Sequence, residues 1–142
     1  MTLQIKIRAI SKDAKLPTKA HDTDACWDIY AAGCRVLGRG HKDSIPTGIA
    51  VEIPPGYAMH LWDRSGLAAK HGLHILGGVI DCDYRGEIKV IMVNLGREDY
   101  AIFEGHRIAQ AQIVPVLDVN MTWVDKLSDT GRGVGGFGNS GY

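Results

Sequence analysis

Apolar and polar residues alternate in the first stretch of the chain, TLQIKIRAI, with the two-residue period of a half-buried β-strand. Leu3, Ile5 and Ile7 fall on one face of this strand, and Gln4 and Lys6 fall on the other. Further short runs rich in apolar residues follow at WDIYAA, GIAVEI, YAMHLW, EIKVIMVNL, DYAIF and RIAQAQIVPV. Turn sequences separate them, among them LPTK, LGRG, PPG, LGRED and FEGH. The pattern predicts an all-β domain, built as an antiparallel sandwich, a jelly roll or a small barrel.

One segment, RSGLAAKHG, favours a helix over a strand. Residues 67–70 are good helix formers, Ser65 is placed to cap the start, and Gly72 is placed to end the helix. An irregular turn is the alternative interpretation. We therefore expect one short helix among many strands.

The last residues differ in composition from the rest of the chain. SDTGRGVGGFGNSGY, residues 128–142, contains six glycines among fifteen residues and a single phenylalanine, Phe137. Such a segment buries too little apolar surface to fold alone. We predict a β domain over residues 1–127 and a flexible, glycine-rich C-terminal arm over 128–142. By composition the arm is a disordered terminus, and the alternative is a flap that closes over a ligand.

Charge and cysteine content narrow the function classes. The chain of 142 residues fits one domain, and its 16 lysines and arginines balance 16 aspartates and glutamates. It therefore has no net field to draw it onto nucleic acid or an anionic membrane. The three cysteines lack the paired spacing of a zinc site, which favours free thiols in a reducing compartment. With no signal peptide or membrane span in evidence, we expect a cytoplasmic protein, or a nuclear or host-cell one if eukaryotic or viral, and not a secreted one.

Five segments, in order, resemble the motifs of the trimeric dUTP pyrophosphatases, the dUTPases. They are DACWDIYAA, RSGLAAKHG, GVIDCDYRGEIKV, GHRIAQAQI and RGVGGFGNSG, and they run from Asp24 to Gly141. The resemblance implies a distorted jelly-roll or barrel-like β protomer and a homotrimer with active sites at the subunit junctions. It also implies hydrolysis of dUTP to dUMP and pyrophosphate with Mg²⁺.

The resemblance assigns the reacting groups to the third and fourth segments. Asp81 is implied to orient and deprotonate the attacking water, since water at neutral pH needs a base. Gln110 is implied to position the water and the phosphate. From the residues alone, Asp81 would equally fit a turn aspartate bonded to its own backbone. We expect the neighbouring acid, Asp83, to fix the turn.

The same third segment is implied to recognise the nucleoside. Tyr84 would pack against the deoxyribose, where a 2′-hydroxyl would collide with the ring. Main-chain groups would read uracil and leave buried groups unpaired against cytosine. These groups belong to Gly78, Val79, Ile80 and Lys89.

The triphosphate and metal are implied to bind at other segments. Arg64, Ser65 and Gly66 would contact the phosphates, and Asp28 would reach Mg²⁺ through a water, because Mg²⁺ keeps few direct protein ligands. Asp63 departs from the small residue or proline expected before Arg64, and we expect it to pair with that arginine. The arm would supply the remaining substrate contacts. They are Arg132 to the γ-phosphate, Phe137 stacked on uracil, and hydrogen-bond donors at Gly138 and Ser140.

Two other functions fit the same fold family. A dCTP deaminase, or a bifunctional deaminase and dUTPase, would need a glutamate ten residues beyond Asp81, where this chain has Ile91. A regulator that senses dUTP without hydrolysing it would not need the full set of proposed catalytic groups, which this chain retains. The sequence therefore favours dUTP hydrolysis over both.

Overall fold

The computed structural model describes residues 2–141. Within this range the chain forms ten strands and one helix. In chain order they are β1 (Lys6–Ala9), β2 (Trp27–Tyr30), β3 (Arg35–Leu37), β4 (Lys42–Glu52), β5 (Tyr57–Trp62), α1 (Ser65–His71), β6 (Leu73–Leu76), β7 (Val79–Ile80), β8 (Glu87–Asn94), β9 (Tyr100–Ile102) and β10 (Arg107–Pro115). The prediction of an all-β fold with one short helix is confirmed.

The strands form two four-stranded sheets and one small pair. The first sheet has the order β1-β4-β8-β6, the second β2-β10-β5-β7, and β3 pairs with β9. Each of these pairings is antiparallel. The second sheet and the connection from β5 to β6 carry most of the candidate site, so their geometry decides where the functional side chains lie.

The core is built by the inward faces of the alternating strands. On β8, Ile88, Val90 and Met92 are buried, and the residues between them are exposed or half-buried. Fully burying such a side chain stabilises the fold by about 1.5–3 kcal/mol. Asn94 continues the buried face and is fully satisfied, because its side chain bonds to Leu37 O, Glu98 O and Gly96 N.

The end of helix α1 agrees with the prediction, and its start does not. Arg64 is the N-cap, with φ −87° and ψ 126°, and no side chain caps the helix; Ser65 is already its first residue. The predicted cap at Ser65 is therefore wrong, since a residue inside the first turn cannot serve as the cap. Gly72 ends the helix at φ 68°, as predicted. A Cβ at Gly72 would lie 2.6 Å from Gly96 N, so this position requires glycine on two counts.

The segment between β6 and β8 is more than a simple turn. β6 pairs with β8 as far as Leu76 opposite Ile91, but β7 then crosses to the other sheet and pairs with β5, placing Val79 opposite His60. The short apolar run before Asp81 therefore does not pair with the strand that follows it. The strand before Asp81, β7, and the strand after it, β8, therefore belong to different sheets.

After Pro115 the described chain contains no further strand or helix up to residue 141. Several large apolar side chains here are exposed, at Val116, Leu117, Val119, Met121, Trp123, Val124 and Leu127. The sheets thus end before residue 127, and the boundary between domain and arm at 127/128 stays a prediction. Among residues 2–141, no helix has the length and apolar character needed to cross a membrane.

Candidate active site

Asp28 is shared by two arginines from different parts of the chain. Asp28 lies on β2, and the backbone N–H of Asp28 donates to Thr18 O at 2.7 Å. Its carboxylate oxygens lie 3.2 Å from Arg64 Nε and 3.4 Å from Arg107 Nε, with only 17% of the side chain exposed. Two cations against one carboxylate leave this region with a positive excess, which suits a polyanion.

Gln110 lies beside Asp28 in the same sheet. In the register of β10 it is opposite Asp28 on one side and opposite Trp62 on the other. Its side-chain nitrogen donates to Asp63 O at 2.7 Å. Because a backbone carbonyl only accepts, this contact fixes which end of the amide is nitrogen and which is oxygen.

Several predicted residues meet in one cavity of about 380 Å³. Its lining includes Asp28, Arg64, Ser65, Gly66 and Gln110. Lys70 and His71, in the last turn of α1, line it too. The structure thus brings together the residues expected to hold phosphate, those expected to hold metal, and one of the two expected catalytic groups.

Asp63 does not pair with Arg64. Its carboxylate bonds to β6, with Oδ2 2.7 Å from His74 Nδ1 and Oδ1 accepting from Ile75 N at 2.7 Å. The expected pair is wrong because the two neighbours face different elements. Arg64 lies against Asp28 and donates to Arg107 O, whereas Asp63 is bound to the other sheet.

The segment around Asp81 forms a turn that Tyr84 helps to close. Tyr84 N donates to Asp81 O at 3.2 Å, and the Tyr84 hydroxyl donates to Glu87 O at 3.0 Å. The ring lies over Gly86, where a Cβ would be only 2.6 Å from Tyr84 Cζ. The ring is thereby fixed and yet 45% exposed. Asp83 makes no hydrogen bond within residues 2–141, so the structure gives no support to its expected role in the turn.

Two unpaired backbone edges accompany this turn. β8 pairs with β6 only from Ile91 to Asn94, so its first half, residues 87–90, has one edge that no described strand covers. β7 is the outermost strand of its own sheet. Gly78, just before β7, is held tightly, since a Cβ there would lie 2.5 Å from Leu61 O. Gly78 O accepts from Leu61 N, and Glu87 O accepts from the Tyr84 hydroxyl. The other backbone N–H and C=O groups on these two edges are available to a planar polar ligand.

Within residues 2–141, the arm residues Arg132 and Phe137 make no hydrogen bond to the Asp28 cavity or to the turn around Asp81. Arg132 Nε donates to Gly135 O at 2.7 Å, and Phe137 is fully exposed with φ 50°. Gly138 and Ser140 are exposed as well. Their predicted contacts with substrate stay predictions.

A model of the dUTPase family matches residues 12–141. This chain belongs to the dUTPase family. The deoxyuridine 5'-triphosphate nucleotidohydrolase of Clostridium tetani is 41% identical over 139 residues, covering 96% of each chain. That of Leifsonia xyli is 44% identical and covers 100% of this chain and 94% of the relative.

Solved dUTPase structures have the same fold. A point mutant of the Staphylococcus bacteriophage 80alpha dUTPase, solved with dUpNHpp, superposes with a TM-score of 0.92 at 32% identity, covering 99% of this chain and 100% of that one. A point mutant of the dUTPase from phage phi11 of S. aureus, described with a structural Mg(II) ion, gives a TM-score of 0.81 at 31% identity over 87% of this chain and 97% of that one. The jelly-roll-like dUTPase fold expected from the sequence is confirmed.

Arg107 contacts a candidate site residue, Asp28, and sequence reasoning missed it. Besides binding Asp28, it lies beside Tyr30, whose hydroxyl also bonds to Thr18. The hydrogen bond from Arg107, with a further one from Thr18, lowers the pKa of Tyr30. The signal was present in the fourth motif, where a cation stands three residues before Gln110. Its partner could not be read without the β2–β10 register.

The acids of this dUTPase suit a metal carried by the substrate. Asp24 and Asp28 both line the cavity, and the described residues contain no cluster of three or more potential metal ligands. Mg²⁺ binds with few direct protein ligands, keeping several waters and taking substrate phosphates. Two carboxylates beside the cationic side chains fit that ion better than they fit Zn²⁺, which needs three or four protein ligands.

Proposed function

We propose that this chain hydrolyses dUTP to dUMP and pyrophosphate, keeping dUTP low and supplying dUMP for thymidylate synthesis. The observation that carries the proposal is the cavity in which three separate dUTPase motifs meet, through Asp28, Arg64 with Ser65 and Gly66, and Gln110. The named activity of relatives that match nearly the whole chain supports it.

Asp81 is the proposed base of the reaction. Its carboxylate takes a proton from water as the water oxygen bonds to the α-phosphorus, and the bond from that phosphorus to the bridging oxygen breaks. Pyrophosphate then leaves with the electron pair. Asp81 suits this role because its carboxylate makes no hydrogen bond to other protein groups within residues 2–141. Gln110 holds the water on the phosphate side of the site.

The turn region is proposed to select the nucleoside. Uracil would bind between the free edges at Gly78–Ile80 and at Lys89, where main-chain groups are available. A fixed pattern of donors and acceptors accepts uracil and leaves groups unpaired against cytosine. Tyr84, clamped over Gly86, would stand where a ribose 2′-hydroxyl collides.

The phosphates are proposed to bind at the cavity beside Asp28. Arg64 supplies charge, and Ser65 and Gly66 supply donors from the exposed start of α1. Asp28 would hold Mg²⁺ through a water. When bound, Mg²⁺ supplies charge that neutralises the phosphate oxygens as pyrophosphate leaves.

The dUTPase resemblance implies a homotrimer with active sites at the subunit junctions, and the separation of these groups within one chain is compatible with it. The residues lining the Asp28 cavity do not include Asp81, Tyr84 or Lys89. β2 and β7 stand at opposite edges of their sheet, three strand spacings or roughly 14 Å apart. On the strength of that resemblance, we propose that the active sites lie at subunit junctions of a homotrimer. The arm, residues 128–142, would close over them, bringing Arg132, Phe137, Gly138 and Ser140 to the substrate.

A cytoplasmic location, or a nuclear or host-cell one, accords with a nucleotide substrate. The three cysteines are free in the structure, as a reducing compartment requires. Deamination of dCTP is not favoured, because Ile91 on β8 stands where a deaminase needs a proton-carrying glutamate.

A substrate panel tests the proposed function. Pyrophosphate release is measured for dUTP, dCTP, dTTP and UTP, with and without Mg²⁺, and ammonia release is measured for dCTP. We expect Mg²⁺-dependent release from dUTP far above the other three. Ammonia from dCTP at a comparable rate, or equal turnover of all four nucleotides, would contradict the proposal.

A further inference from the structure

Asp63 links the two sheets at the place where the Asp28 cavity is built. It follows the last residue of β5, and its carboxylate bonds to two consecutive residues of β6, at His74 Nδ1 and Ile75 N, both at 2.7 Å. β6 is the edge strand of the other sheet. The side chain, 30% exposed, thus closes the base of the loop that carries α1.

The backbone of the same residue holds Gln110. Asp63 O accepts the hydrogen bond from Gln110 Nε2 at 2.7 Å, and this is the one hydrogen bond of the Gln110 side chain within residues 2–141. The contact sets the amide oxygen of Gln110 on the side away from Asp63. An oxygen so placed can accept a hydrogen bond from water, and the second N–H of Gln110 Nε2 can donate to a phosphate oxygen.

The two sets of contacts are mechanically connected. With its carboxylate bound to β6, the Asp63 backbone has little freedom to rotate, so its carbonyl keeps one direction. Without these bonds, Asp63 would be restrained by its chain neighbours and by Gln110 itself. A misplacement of about 1 Å in a reacting geometry costs up to about a hundredfold in rate.

We infer that Asp63 is a positioning residue for hydrolysis, which orients Gln110 toward the attacking water through its carbonyl, and that His74 and Ile75 hold it in place. The inference rests on the proposed function. It assigns Asp63 no contact with substrate. Its loss should therefore lower kcat while leaving the KM for dUTP nearly unchanged.

Steady-state kinetics on four variants with dUTP and Mg²⁺ test this. Asp63→Ala should lower kcat roughly tenfold to a hundredfold, with KM within about threefold. Asp63→Asn keeps an acceptor for Ile75 N and a group able to bond His74, so it should restore most of kcat. His74→Ala removes one of the two anchors and should give an intermediate loss. The matched control is Asp99→Ala, because Asp99 also accepts a backbone N–H, from Arg39, but lies outside the cavity.

A spectroscopic readout keeps the test independent of turnover. The side-chain amide signals of Gln110 in ¹⁵N–¹H spectra, assigned with Gln110→Glu, should show a bonded, slowly exchanging proton in the wild type and Asp63→Asn but not in Asp63→Ala. If Asp63→Ala does not fold, Asp63→Ser, whose side chain is too short for both anchors, takes its place. Wild-type kcat in Asp63→Ala, or an equal loss in Asp63→Asn, would overturn the inference. A wild type inactive on dUTP would instead refute the proposed function, and the amide signals would still decide the positioning.

Discussion

Gly86→Ala should weaken the discrimination between dUTP and UTP without replacing any residue proposed to bind either nucleotide. Gly86 has no positive φ, so alanine causes no backbone strain there. The added Cβ would, however, lie 2.6 Å from Tyr84 Cζ, well inside the distance of real contacts. Backbone on either side fixes the methyl, so the Tyr84 ring must move.

The size of the effect follows from what holds the ring. Moving it breaks the hydrogen bond from the Tyr84 hydroxyl to Glu87 O, worth about 1 kcal/mol, and forces the side chain off its rotamer at a cost of about 0.5–1.5 kcal/mol. Because about 1.4 kcal/mol is a factor of ten, the ratio of kcat/KM for dUTP over UTP should fall roughly tenfold or somewhat more.

Competing-substrate kinetics measure this ratio, and Tyr84→Ala sets the upper limit for the loss. Thermal unfolding monitors whether the variant is intact. If Tyr84→Ala loses discrimination and Gly86→Ala keeps it, the ring is not held by contact with Gly86. If both variants discriminate as well as the wild type, Tyr84 does not exclude the ribose 2′-hydroxyl, and its proposed role in sugar selection is refuted.

Three further predictions concern other parts of the site. Asp81→Asn should lower kcat by roughly 10²- to 10⁴-fold while a non-hydrolysable dUTP analogue still binds in calorimetry; unchanged turnover would remove Asp81 from the mechanism. Arg107→Ala removes the hydrogen bond that does most to lower the pKa of Tyr30, so the tyrosinate absorbance should titrate at higher pH. A lowered tyrosine pKa adds stability above the unfolded-state pKa and loses it as pH falls through the folded-state pKa. Arg107→Ala should thus lower the free energy of unfolding more at strongly alkaline pH than near neutrality. An equal loss at both pH values would contradict this prediction. Truncation after Gly131 should leave a folded trimer by light scattering with severely reduced turnover; a monomer would mean that the arm acts mainly in assembly.

The alternation of apolar and polar residues predicted the longer strands, whichever strands pair with them in the sheet. YAMHLW coincides with β5 and EIKVIMVNL contains β8, because alternate residues of each face a core that any partner strand would complete. β3 and β6 were not predicted. β6, LHIL, is only four residues long and follows directly on the helix, so it offers too few alternations to stand out.

Contacts between distant segments could not be predicted from the sequence. Ser65 has the right chemistry for a helix cap, yet the helix starts one residue earlier than such a cap requires. The partner of Asp63 depends on where β6 returns, and the partner of Arg107 depends on the register of β10 against β2. By contrast, the grouping of Asp28, Arg64 and Gln110 was expected from the motifs, because the dUTPase resemblance carries three-dimensional information that periodicity does not.

Hydrolysis of dUTP in H₂¹⁸O tests the central claim most directly, because it reports both the substrate and the phosphorus that water attacks. With Mg²⁺ present, we predict that mass spectrometry of the products will find one ¹⁸O in dUMP and none in pyrophosphate. Label in pyrophosphate would place the attack at the β-phosphorus and contradict the role given to Asp81, and unlabelled, unconsumed dUTP would contradict the proposed function itself.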